Sequence, residues 1–263
     1  MEKRKTFSII TVAYNAENII EKTIKSVVSQ KYDDFEYIVI DGGSLDNTMS
    51  IIDKYRSCIS LIVSEKDKGI YDAMNKAIGL ASGRYINFMN CGDGFVDENV
   101  LQHVSLNIAD SPDVIYGNTI FKTSMGDFLS CPSNDVKKSI LNEMPFCHQS
   151  SFVKLEIAQS HPFDIQFKVA ADYNLFLILY KEKRIFKYLD ITISHYQYDR
   201  PNDHLEYLRP LDCVKVNKRY VGYLTVLRVY VLSYIKSIIP IWIYNHFRRN
   251  KYNRKFKPIG KTD

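Results

Sequence analysis

Two acidic residues stand directly after apolar runs, where side-chain chemistry is most easily exposed. Asp41 follows Tyr37-Ile38-Val39-Ile40, and Asp93 closes Asn90-Cys91-Gly92-Asp93 after Tyr85-Ile86-Asn87-Phe88-Met89. An Asp in the first position can hydrogen-bond a base edge or a ribose; the competing reading is a cap for the Gly-Gly-Ser turn that follows. An Asp in the second position can hold a divalent cation on phosphates, because one or two carboxylates suffice when phosphate oxygens and water complete the shell. Its competing reading is an acid at a helix start. Other chemistries lack their residues. No Gly-x-Gly-x-x-Gly, Gly-x-x-x-x-Gly-Lys-Ser/Thr or Gly-x-Ser-x-Gly is present, and the six histidines show no metal-ligand spacing.

The elements that would position these residues follow from apolar patterning. Phe7 to Tyr14 reads as a buried strand, and Asn15 as a cap for a helix with buried-face positions at Ile19, Ile20, Thr23, Ile24, Val27 and Val28. Strands at 37–40, 61–63 and 85–89 alternate with helices around 51–55 and 71–80. That alternation predicts an α/β fold, a mostly parallel sheet with helices on both faces and ligands beyond the strand carboxyl ends. Three such ends are polar: Thr11 to Asn15, Asp41 to Asp46 and Asn90 to Asp93. Beyond residue 95 the pattern is mixed. A helix is expected over 96–108, strands over 113–123 and 128–131 with turns at Gly117-Asn118 and Met125-Gly126, and a strand over 149–153. A helix over 173–180 and two pairing strands, 187–191 and 194–198, complete the second half.

The chain has 263 residues, 46% hydrophobic and 25% charged, which suits a globular protein and excludes a disordered or fibrous one. Five cysteines without Cys-x-x-Cys spacing fit reduced thiols better than a disulfide framework. Charge is divided unevenly. Residues 213–263 hold 12 basic and one acidic side chain, net +11, whereas the first 212 hold 23 basic and 29 acidic, net −6. The body therefore lacks the basic surface of a nucleic-acid binder. The amino terminus shows no secretory signal pattern. In the tail, 220–247 is largely apolar but interrupted by Arg228, Lys236 and Pro240, and basic clusters follow at 248–251 and 254–257. This reads as an amphipathic, interfacial helical segment rather than a membrane span; the competing reading is a helix packed on protein.

Taken together, Ser8 to Ala16, Asp41-Gly42-Gly43-Ser44-Leu45-Asp46-Asn47-Thr48 and Ala81-Ser82-Gly83-Arg84-Tyr85-Ile86 before Asn90-Cys91-Gly92-Asp93 resemble family 2 glycosyltransferases of the GT-A fold. The run Glu65 to Asn75 resembles a bacterial subgroup that builds capsule, exopolysaccharide and O-antigen units. The resemblance covers about residues 6–200. It implies a catalytic domain over 1–212, with a nucleotide-binding half to about 95 and an acceptor half to 212. The 213–263 tail would associate with the membrane.

It further implies that Thr11, Tyr14 and Asn15 lie on the nucleotide side and that Asp41 binds base or ribose. Lys68 and Gly69 would lie near the diphosphate, and Asn90, Cys91 and Gly92 beside the nucleotide sugar. Asp93 would carry a divalent metal, Mg or Mn, and Asp172 would act as catalytic base. His148 and Gln149 would lie toward the acceptor. Asn90 departs from the family's usual first Asp, which leaves more of the metal affinity to Asp93 and the diphosphate. The implied activity is inverting transfer from a nucleotide-diphosphate sugar to a saccharide or polyprenyl-diphosphate-linked acceptor. The implied place is the inner face of the plasma membrane, cytoplasmic and peripheral, with no nucleic-acid partner. A non-catalytic, membrane-attached nucleotide-sugar-binding or scaffolding subunit is the alternative that Asn90 favours.

Overall fold

Seven consecutive buried residues make β1, Phe7–Ala13, the centre of the sheet. A computed structural model describes residues 4–124, 126–141, 143–197, 216 and 257–258. β1 pairs in parallel with β2 (Phe35–Asp41) on one side and β4 (Tyr85–Phe88) on the other, and β2 pairs in parallel with β3 (Leu61–Ser64). β1, β2 and β4 are largely apolar because both of their faces are covered, whereas β3, at the sheet edge, is partly exposed. The register sets Ala13 beside Asp41 and Asp41 beside Ser64, so the polar ends of β1, β2 and β3 share one rim.

Alternating side chains divide the core into two layers. Ile10, Val12, Ile38 and Ile40 pack with α3 (Ile70–Leu80), α5 (Leu155–Ser160) and α6 (Ala171–Lys181). Phe7, Ile9, Tyr37 and Val39 pack with α1 (Ile20–Val28), α2 (Thr48–Asp53) and α4 (Val100–Ser105). In α1, Ile20, Thr23, Ile24 and Val27 form the buried stripe of an amphipathic helix. Asn15 does not cap it. The residue sits at φ 46° and its Oδ1 accepts from Leu45 N, while Ala16 O receives the amides of Ile19 and Ile20 at the helix entry.

The second half extends the sheet with antiparallel strands. β8 (Ser151–Lys154) joins β4 to β6 (Val114–Thr123), and β7 (Gly126–Ser130) follows on β6. The expected turn at Gly117-Asn118 lies within β6 as a register irregularity against β9 (Phe186–Gln197). Gly117 is needed there because a Cβ would meet Ile191 O at 2.7 Å. The two segments expected to pair with each other, 187–191 and 194–198, are instead, as far as residue 197, parts of this one strand, parallel to β6. The helix expected from residue 96 is confined to α4. Residues Gly94–Phe95 form β5, antiparallel to β9, and the Val96 amide donates to Ile193 O. Of the residues that periodicity assigned to a helix, Val96 is thus drawn to β9 and 97–99 turn before α4 begins.

Both core layers draw residues from before and after residue 95, so the two expected halves share their hydrophobic interior. Val216, beyond the expected boundary at 212, is fully buried in the α3–α6 layer. Lys257–Pro258 forms β10, antiparallel to β7. The apolar 220–247 stretch and the 248–255 basic residues lie outside the described residues. Among those described, no helix is long and apolar enough to cross a membrane.

Gly83 shows how closely β4 is held to β1. A Cβ there would stand 2.7 Å from Phe7 C and from Ser8 N, backbone that cannot turn aside. Gly79, in α3, faces open space. Gly83→Ala should lower unfolding free energy by about 1–3 kcal/mol through overpacking. Gly79→Ala should raise it by about 0.5–1 kcal/mol. Urea denaturation of the two variants checks both signs.

Candidate active site

At the end of β2, Asp41 builds a turn with its carboxylate. Oδ2 accepts from Gly43 N at 3.1 Å, Ser44 N at 3.0 Å and Ser64 Oγ at 2.6 Å, and Oδ1 accepts from Ser44 Oγ. Asp41 is fully buried, and Gly43 supplies the positive φ of 82° that the turn requires. The turn-capping reading therefore describes its contacts within the protein. Ser44 Oγ also receives the Asn15 amide at 2.8 Å, which ties the loop after β1 to the loop after β2.

Tyr14 is 61% exposed beside these loops. A Cβ on Gly42 would stand 3.4 Å from the Tyr14 ring and collide with the Asp67 carboxylate, so the loop after β3 closes in on the same spot. There Asp67 Oδ1 accepts the Gly69 amide at 2.8 Å, and Asp72 Oδ2 accepts the Lys68 amide at 3.0 Å. Tyr14, Asn15, Asp41, Lys68 and Gly69 are thus gathered along one rim. Thr11 is not at its surface. The Thr11 hydroxyl is fully buried, donates to Met89 O at 2.8 Å and lies 2.9 Å from the Tyr37 hydroxyl, clamping β1 to the chain leaving β4.

The Asn90–Asp93 turn is held from α1. Thr23 Oγ1 donates to Asp93 O at 2.7 Å and receives the Gly92 amide at 2.9 Å, with Gly92 at φ 91°. Cys91 points inward and is buried in the α1-side core layer. Because β1 separates β2 from β4, the Asp41 and Asn90 ends lie about two strand spacings, ~10 Å, apart across the sheet. Asp93 is fully buried and accepts from Gln149 Nε2 at 2.8 Å and from Gln197 N at 3.1 Å. Asn90 is 4% exposed; its Nδ2 lies 3.2 Å from His148 Nε2, and its Oδ1 is a buried acceptor without a hydrogen-bond partner among the described residues.

His148, Gln149 and Ser150 form a 3-10 turn rather than the start of a strand. Asn87 holds it from β4, donating through Nδ2 to Gln149 O at 3.0 Å and Ser151 O at 2.8 Å. Cys147 Sγ donates to Gln149 Oε1, which turns the amide nitrogen toward Asp93. On the far side, His148 Nδ1 lies 3.1 Å from Asp172 Oδ2. Asp172 stands in the first turn of α6, where the helix amino terminus favours negative charge. Its Oδ1 accepts the Tyr173 amide at 2.8 Å, and Tyr71, whose hydroxyl donates to Val169 O, lies beside it. The Asp172 side chain is 17% exposed and so remains reachable, unlike that of Asp93. An apolar pocket behind the pair is lined by Ile86, Phe88, Phe163, Leu175 and Phe176.

Sequence reasoning alone passed over Asn87, Thr23 and Tyr71. A signal was present for Asn87, because an amide inside an apolar strand must find buried partners. Among the described residues no group of three or more His, Cys, Asp or Glu is placed to hold a metal. The donor set at Asp93 and Asn90, one carboxylate and one unsatisfied amide oxygen, is hard and oxygen-based. Those atom types suit a cation that takes its remaining ligands from phosphate and water, but Asp93 is fully buried and both of its oxygens already accept, from Gln149 and Gln197, so it can serve such an ion only where those bonds give way.

A family model described as glycosyl transferase family 2 matches residues 8–158. The chain is 31% identical over 182 residues to the Escherichia coli UDP-Glc:alpha-D-GlcNAc-diphosphoundecaprenol beta-1,3-glucosyltransferase WfgD, covering 68% of this chain and 71% of that protein. It is 25% identical over 197 residues to a Mycobacterium tuberculosis PGL/p-HBAD biosynthesis glycosyltransferase, covering 72% and 76%. In fold it resembles S. aureus TarS 1-349, solved with UDP-GlcNAc, with a TM-score of 0.67 at 22% identity. That match covers 80% of this chain and 64% of the TarS chain, just under two thirds of it. The mannosyltransferase PcManGT of Pyrobaculum calidifontis, solved with GDP-Man and Mn2+, aligns with a TM-score of 0.65 at 15% identity, covering 89% and 71%.

His195, on β9 opposite Gly94, gives the site's surroundings a pH signature. Burial, aided by Lys122 and Lys22 and opposed by Asp127, lowers its pKa to about 4. Between that value and the ordinary one near 6.5, the unfolded chain binds a proton that the folded chain refuses. Stability should therefore fall as pH drops through this window and be unaffected by His195 above it. Denaturation midpoints from pH 7 to 4 should drop less steeply in His195→Gln than in the wild type.

Proposed function

The chain belongs to glycosyltransferase family 2 and has the GT-A fold; from that premise we propose that it moves a sugar, with inversion, from a nucleotide-diphosphate sugar to a hydroxyl of a lipid-linked saccharide. The observation that carries this reading is the junction at residues 148–149, which draws Asp93 and Asp172 to one place at the sheet rim. The donor occupies the rim of β1 to β4. Tyr14 offers its exposed ring to the base, and the turn capped by Asp41 presents backbone to base or ribose. Lys68 and Gly69, before α3, face the diphosphate. Thr11 and Cys91 act from beneath by shaping the rim.

Asp93, with Asn90 Oδ1 nearby in sequence, would hold a divalent cation together with the diphosphate, and such an ion neutralises charge that grows on the leaving group. Asp172 takes the proton of the acceptor hydroxyl as its oxygen bonds to the anomeric carbon and the carbon–phosphate-oxygen bond breaks. The sugar passes through an oxocarbenium-like state, and nucleoside diphosphate departs with the electron pair. Support for a lipid-linked acceptor comes from the substrate in the name of WfgD and from the basic, apolar tail.

Asp172→Asn should keep donor affinity and lose about 100- to 10,000-fold in turnover. Asp93→Ala should lose about 100-fold or more. Nucleoside diphosphate release over a donor panel, with Mg or Mn, measures both; wild-type rates in either variant would remove that residue's role. No release with any donor, despite donor binding, would favour the non-catalytic binding subunit. The full chain should co-sediment with anionic vesicles, and a chain ending before the apolar 220–247 stretch should do so less. Equal recovery of both in the supernatant would remove the membrane proposal.

A further inference from the structure

His148 touches both a residue of the donor rim and the proposed base, and a neutral ring meets both in one arrangement. A carboxylate only accepts hydrogen bonds, so the 3.1 Å contact between His148 Nδ1 and Asp172 Oδ2 requires the proton on Nδ1. In the neutral ring that leaves Nε2 as an acceptor. Asn90 Nδ2 lies 3.2 Å from Nε2 and can donate to it. Asp172 thus selects the tautomer, and the Asn90 amide, donating to Nε2, accommodates it. The amide's own orientation follows, with Oδ1 turned into a buried place without a partner among the described residues.

The rest of the shell is built to keep the ring in place. Asn87 grips the 148–150 turn through two carbonyls, and Gln149 anchors it to Asp93. Only 21% of the His148 side chain is exposed, and the apolar pocket of Phe88, Phe163 and Phe176 lies against it. The exposure of His148 is similar to that of Asp172, and what sets the ring's role apart is that Nδ1 is engaged by the Asp172 carboxylate.

We infer that His148 is a positioning residue for Asp172: an Nδ1-protonated imidazole, backed at Nε2 by Asn90, that fixes the carboxylate in the orientation from which it receives the acceptor proton. This rests on the proposed role of Asp172 as base. It differs from a contact between His148 and the acceptor, which would alter acceptor KM first.

The test uses the full chain with kinetic and spectroscopic arms. His148→Ala should lower kcat by about 10- to 100-fold, the cost of a misplaced catalytic group, with donor and acceptor KM changed less than about threefold. His148→Asn places an amide N–H where ring Nδ1–H stood and should recover most of the loss. His148→Gln reaches instead toward the place of Nε2 and should not. Thermal melts of all three separate this pattern from misfolding. By 15N NMR of the histidine rings, the signal that His148→Asn removes should be the Nδ1-protonated tautomer, and Asp172→Ala should abolish that preference. Wild-type kcat in His148→Ala, equal losses in the Asn, Gln and Ala variants, or an Nε2-protonated ring would each overturn the inference. If Asp172→Asn is inactive while His148→Ala is normal, only the positioning role falls. If Asp172→Asn turns over normally, the base assignment fails and takes the inference with it.

Discussion

A short turn carrying His148 and Gln149 is held against the end of β4, and the site's geometry depends on that contact. Asn87, Asn90 and Asp93 recur at every third residue where β4 runs out into its loop, and each meets the turn. The turn in turn reaches Asp172 on α6. Two carboxylates with different proposed tasks are thereby referenced to one piece of backbone. Rigid placement matters for such groups because a displacement of about 1 Å can cost 100-fold in rate.

The opposite end of the rim is organised by a different device. Asp41 spends its carboxylate on the Gly43 and Ser44 amides and the Ser44 and Ser64 hydroxyls. Buried charge of this kind is tolerable only when its lone pairs are met by donors. The loops after β1 and β2 are then locked together through Ser44 and Asn15, and Tyr14 is left as the exposed aromatic surface. The carboxylate thus contributes by shaping what a nucleotide would meet.

The parallel sheet supplies the frame for both ends. Its inner strands, β1, β2 and β4, are buried on each face, so they cannot shift register without exposing apolar side chains. Gly83 brings β4 against the β1 backbone, and Thr11 ties β1 to Met89 O just before Asn90. The family 2 chain thus couples a stiff interior to loops that carry the chemistry.

How much of this is legible in the residues alone differs between the two halves. Apolar runs at 7–14, 37–40, 61–63 and 85–89, with a helical stripe between each pair, dictate the parallel half, because burial on both faces leaves a local composition signature. The polar strand ends, and the family they resemble, follow from the same short-range order. Local pattern does not decide pairing. Residues 186–197 are one strand only because β6 runs beside them, and Gly94–Phe95 is a strand only because β9 captures it. Nor does it decide what His148 does: its partners, Asn90 and Asp172, lie 58 and 24 residues away along the chain. Periodicity senses which face of an element is buried. Which side chain stands opposite which, and which tautomer or orientation that forces, exists only once distant segments are brought within hydrogen-bond reach.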